Sequence, residues 1–329
     1  MSTQPPSVGP VTVLLFSDGS DAAEIYRQHL PAGWRLEYLT DRHDEGEQRA
    51  RLANADILLH VDVPLTSAHL DAAPALRLIH RQGVGLDGLE LEAVRSRGIP
   101  VCICPVGTPE AVAEHTIMLA LACGRHLTAL SEGVRANGWP KWTYRQRSLG
   151  LMGATVGLVG FGRIAQAVAR RLLPFEAQIL VHRSRPQPLD PEWPDGRVRR
   201  CDDLDELFAA SDVVSLHCPL TPETTGLVHA DRLARMRDGS VLVNTARGGL
   251  VVEEDLARAL AAGRPAAAGL DVLSAEPPGE GHPLVGLPNA LITPHCAAGV
   301  ATVVHRKAEA VFENAQRALA GEELWYRAA

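Results

Sequence analysis

The 329-residue chain is 46% hydrophobic, carries a formal charge of −7 and holds six cysteines. That much apolar material can bury a large core and is expected to form two domains. The acidic balance gives no electrostatic reason to expect nucleic acid or an anionic membrane as partner. The start, Met1 to Pro10, is polar and proline-rich, without the basic and apolar regions of a secretory signal, and the longest apolar helical run, Thr116 to Cys123, is too short to span a bilayer. The cysteines show neither a Cys-x-x-Cys pair nor zinc spacing, so a cytoplasmic protein with reduced, mostly buried thiols and no metal site is expected.

In chain order, Val11 to Phe16, Ala55 to His60, Leu76 to His80 and Ile99 to Cys104 read as strands separated by amphipathic or polar stretches, a parallel-sheet pattern. Glu110 to Asn137 then reads as one long helix. Trp139, Trp142 and Tyr144 follow it, three of the fourteen Trp, Tyr and Phe residues of the chain. An aromatic loop there can pack on its own domain or serve as a dimer arm. A strand beginning at Thr155 leads into a helix from Arg163 to Leu173. Ala177 to His182, Val213 to His217, Ser240 to Asn244, Ala268 to Leu273 and Ala290 to Thr293 supply further strands, and a helix from Val303 to Ala320 closes the chain.

The most informative segment is the run from Thr155 through Gly160-Phe161-Gly162-Arg163-Ile164, an apolar strand passing straight into Gly-x-Gly and an alanine-rich helix. Gly160 permits a tight turn, Gly162 lets backbone approach a pyrophosphate, and Ala165 stands where a small residue allows close helix-to-strand packing. The N–H groups of the helix start face the phosphates. A second match, Gly83-Val84-Gly85-Leu86-Asp87-Gly88, also follows an apolar run. The strand after it, near Ile99, brings no acid or base to grip a ribose, so this turn is read as something other than the dinucleotide site.

At the dinucleotide turn the second strand ends in Arg183-Ser184-Arg185 rather than in Asp or Glu. Two guanidinium forks and a hydroxyl suit a 2′-phosphate better than a bare ribose, which favours NADP over NAD. The plain alternative is a pair of solvated arginines beside a ribose held by other groups.

These pieces, together with Leu216-His217-Cys218-Pro219-Leu220-Thr221-Pro222-Glu223-Thr224, Val243-Asn244-Thr245-Ala246-Arg247-Gly248-Gly249, Gly269-Leu270-Asp271-Val272 with Glu276-Pro277, and Thr293-Pro294-His295, resemble the D-2-hydroxyacid dehydrogenase family from about Leu76 onward. The resemblance implies an α/β protein of two Rossmann-like or flavodoxin-like parallel-sheet domains with an active-site cleft between them. Residues 1–113 with 300–329 would form the substrate-binding domain and residues 114–299 the dinucleotide-binding domain. It implies hydride transfer between NAD(P)H and a small 2-oxo or 2-hydroxy acid. Reduction of that kind needs a proton donor for the developing alkoxide and a cation for the substrate carboxylate.

By that resemblance His295 is the acid/base, Glu276 its carboxylate partner and Arg247 the cation, each following a strand of one sheet. Taken singly, His295 reads more readily as a structural or surface histidine and Glu276 as a solvated glutamate, and Arg247 as readily as an ion-pair partner; it is the three in the family's motifs and order that carry the assignment. The Gly83 turn would hold the substrate carboxylate through Val84 and Gly85, with Asp87-Gly88 standing where many relatives have Asp-Asn. Asp271 would orient the nicotinamide or, alternatively, cap backbone. Cys218, Pro219, Thr224 and Thr245 match positions beside the cofactor. A homodimer is expected. The chain closes after its last helix without a stretch for the extra domain of long phosphoglycerate dehydrogenases, so an acid such as glyoxylate or hydroxypyruvate is expected. A dinucleotide-sensing corepressor on the same fold is the alternative function.

Overall fold

The structure, a computed structural model, describes residues 10–86, 88–184, 189, 193–194 and 196–329. The chain divides into two units, residues 1–108 with 300–329 and residues 109–299. No helix among the described residues is long and apolar enough to cross a membrane.

The first unit runs β1 (Thr12–Phe16), α1 (Ser20–His29), β2 (Arg35–Tyr38), α2 (Glu45–Leu52), β3 (Ile57–His60), α3 (Ser67–Asp71), β4 (Leu78–Arg81), α4 (Leu91–Ser96) and β5 (Val101–Cys102). Its five strands pair in parallel in the order β2-β1-β3-β4-β5. β1 and β3 are buried along their whole length, because helices cover both faces of the sheet and each face needs apolar side chains. Successive residues therefore serve opposite cores. Val13, Leu15, Ile57 and Leu59 pack with Tyr26 of α1 and with Val311 and Phe312 of the closing helix, whereas Leu14, Phe16 and Leu58 pack with Leu52, Leu70 and Val94.

The second unit runs α5 (Thr108–Gly124), α6 (Leu127–Arg135), β6 (Thr155–Val159), α7 (Arg163–Leu172), β7 (Gln178–His182), β8 (Val198–Arg200), α8 (Leu204–Ala210), β9 (Val213–Leu216), α9 (Ala230–Arg235), β10 (Val241–Asn244), α10 (Glu253–Ala261), β11 (Ala267–Leu270) and β12 (Ala290–Ile292). The remaining helix of the chain, α11 (Ala301–Ala320), belongs to the first unit. The seven strands of the second unit are parallel in the order β12-β11-β10-β9-β6-β7-β8, so the winding reverses between β6 and β9. Loops leaving the carboxyl ends of those strands diverge, and that is where open α/β sheets bind ligands.

Two expectations are corrected. The helix expected from Glu110 to Asn137 is two helices, broken where His126 takes a left-handed conformation at φ 53°. The cause lies outside the helix: the Leu149 amide bonds the Gly124 carbonyl at 2.8 Å, and a Cβ on Gly124 would lie 3.0 Å from the Leu149 carbonyl oxygen. The strands β2 and β8 add to those expected. Both are sheet edges with sequences Arg-Leu-Glu-Tyr and Val-Arg-Arg, and an edge with one face open to water needs no apolar run.

Candidate active site

The turn after β6 combines a close backbone contact at its first glycine with open space at its second. Gly160 sits at φ 92°, where a side chain would be strained, and a Cβ there would meet the His217 carbonyl at 2.8 Å and the Cys218 nitrogen at 2.9 Å. This turn and the loop after β9 thus touch backbone to backbone at the reversal of winding. Gly162 begins α7 with no side-chain cap, and a Cβ on it would meet nothing within 4 Å. Space is therefore left in front of the first amides of a ten-residue helix that has no acid in its first turn. Phe161 is buried, Ile164 half-buried and Arg163 exposed.

Arg183, just after β7, lies 5.0 Å from the centre of the Phe161 ring and donates to the Phe161 carbonyl at 3.4 Å, so its guanidinium rests on the glycine turn. Ser184 beside it is exposed. Arg185 and Asp87 lie outside the described residues. At this turn the residues fit a nicotinamide dinucleotide: a side-chain-free approach, open helix amides, and a cation where an NAD-selective site would carry an acid.

Arg247, Glu276 and His295 come to one edge of the same sheet. Arg247 follows β10 in a turn stapled by buried Asn244, whose Nδ2 donates to the Arg247 carbonyl at 2.8 Å and whose Oδ1 accepts from the Ala246 amide at 3.0 Å. The next residue must be glycine, because a Cβ on Gly248 would fall 1.9 Å from the Leu273 carbonyl carbon. The arginine turn is thereby pressed against the segment that carries Glu276. Glu276 accepts from the Leu273 amide at Oε1 (2.9 Å) and meets His295 Nδ1 at Oε2 (2.7 Å).

The electrostatics of this pair follow from its contacts. The hydrogen bond to Glu276 raises the His295 pKa above its ordinary value, outweighing the burial and the Arg247 charge that oppose it. Burial pushes Glu276 up, but the bonds from His295 and the Leu273 amide, with the charges of His295 and Arg247, bring it below the usual carboxylate range. Nδ1 is engaged, so Nε2 is the imidazole atom left to face a substrate.

Asp271 is 2% exposed and acts as a brace. It accepts from the Thr293 hydroxyl (2.6 Å) and the Cys296 amide (3.0 Å) at Oδ1, and from the Ala297 amide (2.9 Å) at Oδ2. The His295 amide bonds the Asp271 carbonyl at 2.8 Å. With the amides on both sides of the side chain held by one residue, His295 is kept at φ 50°, a conformation that costs a residue with a Cβ roughly 1–2 kcal/mol. The backbone-capping alternative for Asp271 is thus realised, and the Oδ2 retains a lone pair.

The other expected positions differ in what they offer. Thr224 folds its own loop, donating to the Pro219 carbonyl at 2.7 Å and accepting from the Thr221 amide at 2.8 Å, while Pro219 is exposed and Cys218 half-buried with its thiol pushed up by burial. Thr245 is buried against Thr116, hydroxyl to hydroxyl at 2.9 Å. In the first unit, the Val84 and Gly85 amides make no hydrogen bond among the described residues, while the carbonyls of Gly83, Gly85 and Gly88 are taken by the Cys104 amide, Arg81 Nε and the Leu65 amide. Two consecutive amides of this turn are thus left without a partner among the described residues, while its carbonyls are occupied.

Three supporting groups escaped sequence reasoning. His115 of α5 meets the Thr293 hydroxyl at 2.9 Å and extends the Asp271 brace. Asn244 carries the arginine turn. Glu253, buried at the start of α10, accepts from the Ser274 amide at 2.8 Å and meets His282 Nε2 at 3.1 Å, anchoring the loop that bears Glu276. The only signal for Asn244 was its place within the arginine motif; the other two carried none.

Residues 117–297 match the model of the D-isomer specific 2-hydroxyacid dehydrogenase, NAD binding domain. The chain belongs to the D-isomer specific 2-hydroxyacid dehydrogenase family. It is 37% identical over 287 residues to the D-3-phosphoglycerate dehydrogenase of Mycobacterium tuberculosis, which covers 86% of this chain and 52% of that protein. The chain thus spans about half the length of the first curated relatives it matches. It is 35% identical over 274 residues to a hydroxypyruvate reductase of Thermotoga maritima, covering 82% of this chain and 87% of that one. The crystal structure of the TT0316 protein from Thermus thermophilus superposes with a TM-score of 0.85 at 37% identity, covering 97% of this chain and all of that one.

Proposed function

We propose that this chain reduces a small 2-oxo acid, of the hydroxypyruvate or glyoxylate type, and oxidises the matching D-2-hydroxy acid, using NADPH in preference to NADH. The observation that carries the reading is the His295–Glu276 pair at 2.7 Å beside the Arg247 turn. Membership of the family gives the nicotinamide dinucleotide, which when bound exchanges a hydride with C2 of the acid. Gly160, Phe161, Gly162, Arg163 and Ile164 would receive its phosphates, Arg183, Ser184 and Arg185 its ribose 2′-phosphate, and Cys218, Pro219, Thr224, Thr245 and Asp271 border it.

The remaining work falls to side chains of this protein. Arg247 pairs with the substrate carboxylate and polarises the C2 carbonyl, and the Val84 and Gly85 amides are the donors of the first unit assigned to substrate. His295 gives the proton on Nε2 to the carbonyl oxygen during reduction and takes it back during oxidation, while Glu276 on Nδ1 stabilises the imidazolium. The likeness to the hydroxypyruvate reductase of Thermotoga maritima supports a substrate of that type. The phosphoglycerate dehydrogenase and the hydroxypyruvate reductase are both oxidoreductases, which gives a corepressor no support.

Residues 1–113 with 300–329 are assigned to substrate and residues 114–299 to cofactor. Trp139 and Trp142 are exposed, and α6 buries none of its residues, which supports a homodimer formed over this face. Six free cysteines, four of them buried, fit a reducing cytoplasm.

The test is the pH dependence of both directions. His295 must be protonated to reduce a 2-oxo acid, and its folded pKa is raised, so kcat/KM for reduction holds at low pH and fades as pH rises through that pKa. Oxidation fades as pH falls through it. Glu276→Gln removes the stabilising charge and moves the reductive limb about one unit towards lower pH. His295→Ala lowers kcat by about 10²–10⁴-fold while NADPH binding, followed by fluorescence, persists. Unchanged limbs in Glu276→Gln, or near-parental turnover in His295→Ala, refute the assignment.

A further inference from the structure

The winding of the five-stranded sheet reverses between β1 and β3, so the carboxyl ends of these two strands form its ligand-facing crevice. The loop after β1 brings Asp18 to this place and the loop after β3 brings Asp62. Arg42, from the loop after β2, stands between them with Nη1 2.5 Å from the Asp62 carboxylate and Nε 4.0 Å from that of Asp18. The arrangement is held from behind. The Arg42 carbonyl accepts from Gln48 Nε2 at 2.6 Å, Gln48 Oε1 meets His69 Nε2 at 2.9 Å, and His69 Nδ1 accepts from the Thr66 amide at 3.1 Å.

The same rim includes the turn with the Val84 and Gly85 amides. Arg81 donates from Nε to the Gly85 carbonyl at 2.8 Å and from Nη1 to the Val61 carbonyl and to Nδ1 of His60. Burial and the Arg81 charge push His60 down to about 3, so it is a neutral acceptor there, and its Nε2–H donates to the Val63 carbonyl at 2.7 Å. One guanidinium therefore clamps His60 and Val61, the two residues before Asp62, to the turn carrying the Val84 and Gly85 amides, and His60 in turn holds Val63 just after it. Among the described residues of this rim, the carboxylates of Asp18 and Asp62 face the guanidiniums of Arg42 and Arg81, and of the pair Arg42–Asp62 the acid is the more exposed.

We infer that Asp62 is a specificity-determining residue: it repels a second anionic group on the substrate and restricts the chain to monoanionic acids whose C3 substituent is uncharged. This rests on the reductase reading. Two amides suffice for one carboxylate, and Arg81 ties the Val61 carbonyl, next to Asp62, to the same turn; a second anionic group that reaches this loop meets the Asp62 carboxylate while the Arg42 charge is already paired.

The experiment is calorimetric titration of D-glycerate and 3-phospho-D-glycerate into the NADP⁺-saturated protein, with kcat/KM for hydroxypyruvate and 3-phosphohydroxypyruvate measured alongside. The parent binds D-glycerate the more tightly. Asp62→Asn shrinks that preference by about tenfold, and Arg42→Ala, which leaves Asp62 and Asp18 uncompensated, enlarges it. The opposite signs keep the test sound if one variant fails to fold. Equal or tighter binding of 3-phosphoglycerate by the parent overturns the inference, as does a preference that stays within twofold in the folded variants. Binding in the expected ratio without turnover of either oxo acid defeats the reductase reading and leaves Asp62 its role. Turnover with the opposite preference does the reverse, and failure of both acids to bind defeats both.

Discussion

The two glycine turns, Gly83 to Gly88 and Gly160 to Ala165, share a pattern and a place, each coming after a buried parallel strand, yet they present different chemistry. After β6 the chain enters a ten-residue helix at once, and the turn is pressed so closely on the loop after β9 that Gly160 cannot carry a side chain. After β4 no helix begins until Leu91, α4 has six residues, and the turn is held by its carbonyls. The β6 turn offers a helix start with open space beside Gly162; the β4 turn offers two amides without a partner among the described residues. The two are separated by where their carbonyls are spent and by whether a helix starts directly at the last glycine.

Substitutions at the two turns sharpen this contrast. Gly160→Ala has the largest expected effect. A Cβ at φ 92°, 2.8 Å from the His217 backbone, lowers unfolding stability by about 3 kcal/mol in urea titrations and removes measurable NADPH binding. Gly162→Ala separates binding from folding: its Cβ meets no protein atom within 4 Å, so stability changes by less than about 1 kcal/mol while NADPH affinity drops by roughly tenfold or more. A stable Gly162→Ala with parental affinity would break the contrast.

Arg183→Asp replaces the cation resting on the turn with an acceptor for ribose hydroxyls and shifts the NADPH-to-NADH ratio of kcat/KM towards NADH by about tenfold. A parent that uses NADH as well as NADPH would sink the cofactor preference. The smallest effect is expected at Gly83→Ala, where an added Cβ meets nothing within 4 Å and φ is not in the left-handed region. Its stability stays within about 0.5 kcal/mol, and so large a loss as at Gly160 would show the turns to be built alike.

Much of the fold was legible because parallel strands covered on both faces must be apolar throughout. β1, β3, β6, β9 and β10 stand out as such runs. The edge strands β2 and β8 did not, since one face of each is satisfied by water. The helix pattern from Glu110 onward continued on both sides of Gly124, itself the one local hint of a stop, and the contact that fixes the break comes from Leu149, a partner twenty-five residues away.

At the site, the kinds of residue were readable but not their connections. A glycine turn after an apolar strand, and a missing acid after the next one, are local facts about backbone freedom and charge, and they point to a phosphate-bearing dinucleotide without any knowledge of distance. That Glu276 and His295, nineteen positions apart, meet at 2.7 Å depends on β11 and β12 lying side by side. That Asp271 grips the Cys296 and Ala297 amides and so holds His295 at a positive φ depends on the direction of those N–H bonds, which composition and spacing do not encode. Residue types and strand periodicity are set along the chain, whereas a raised histidine pKa is a property of the neighbours that folding brings within hydrogen-bond reach.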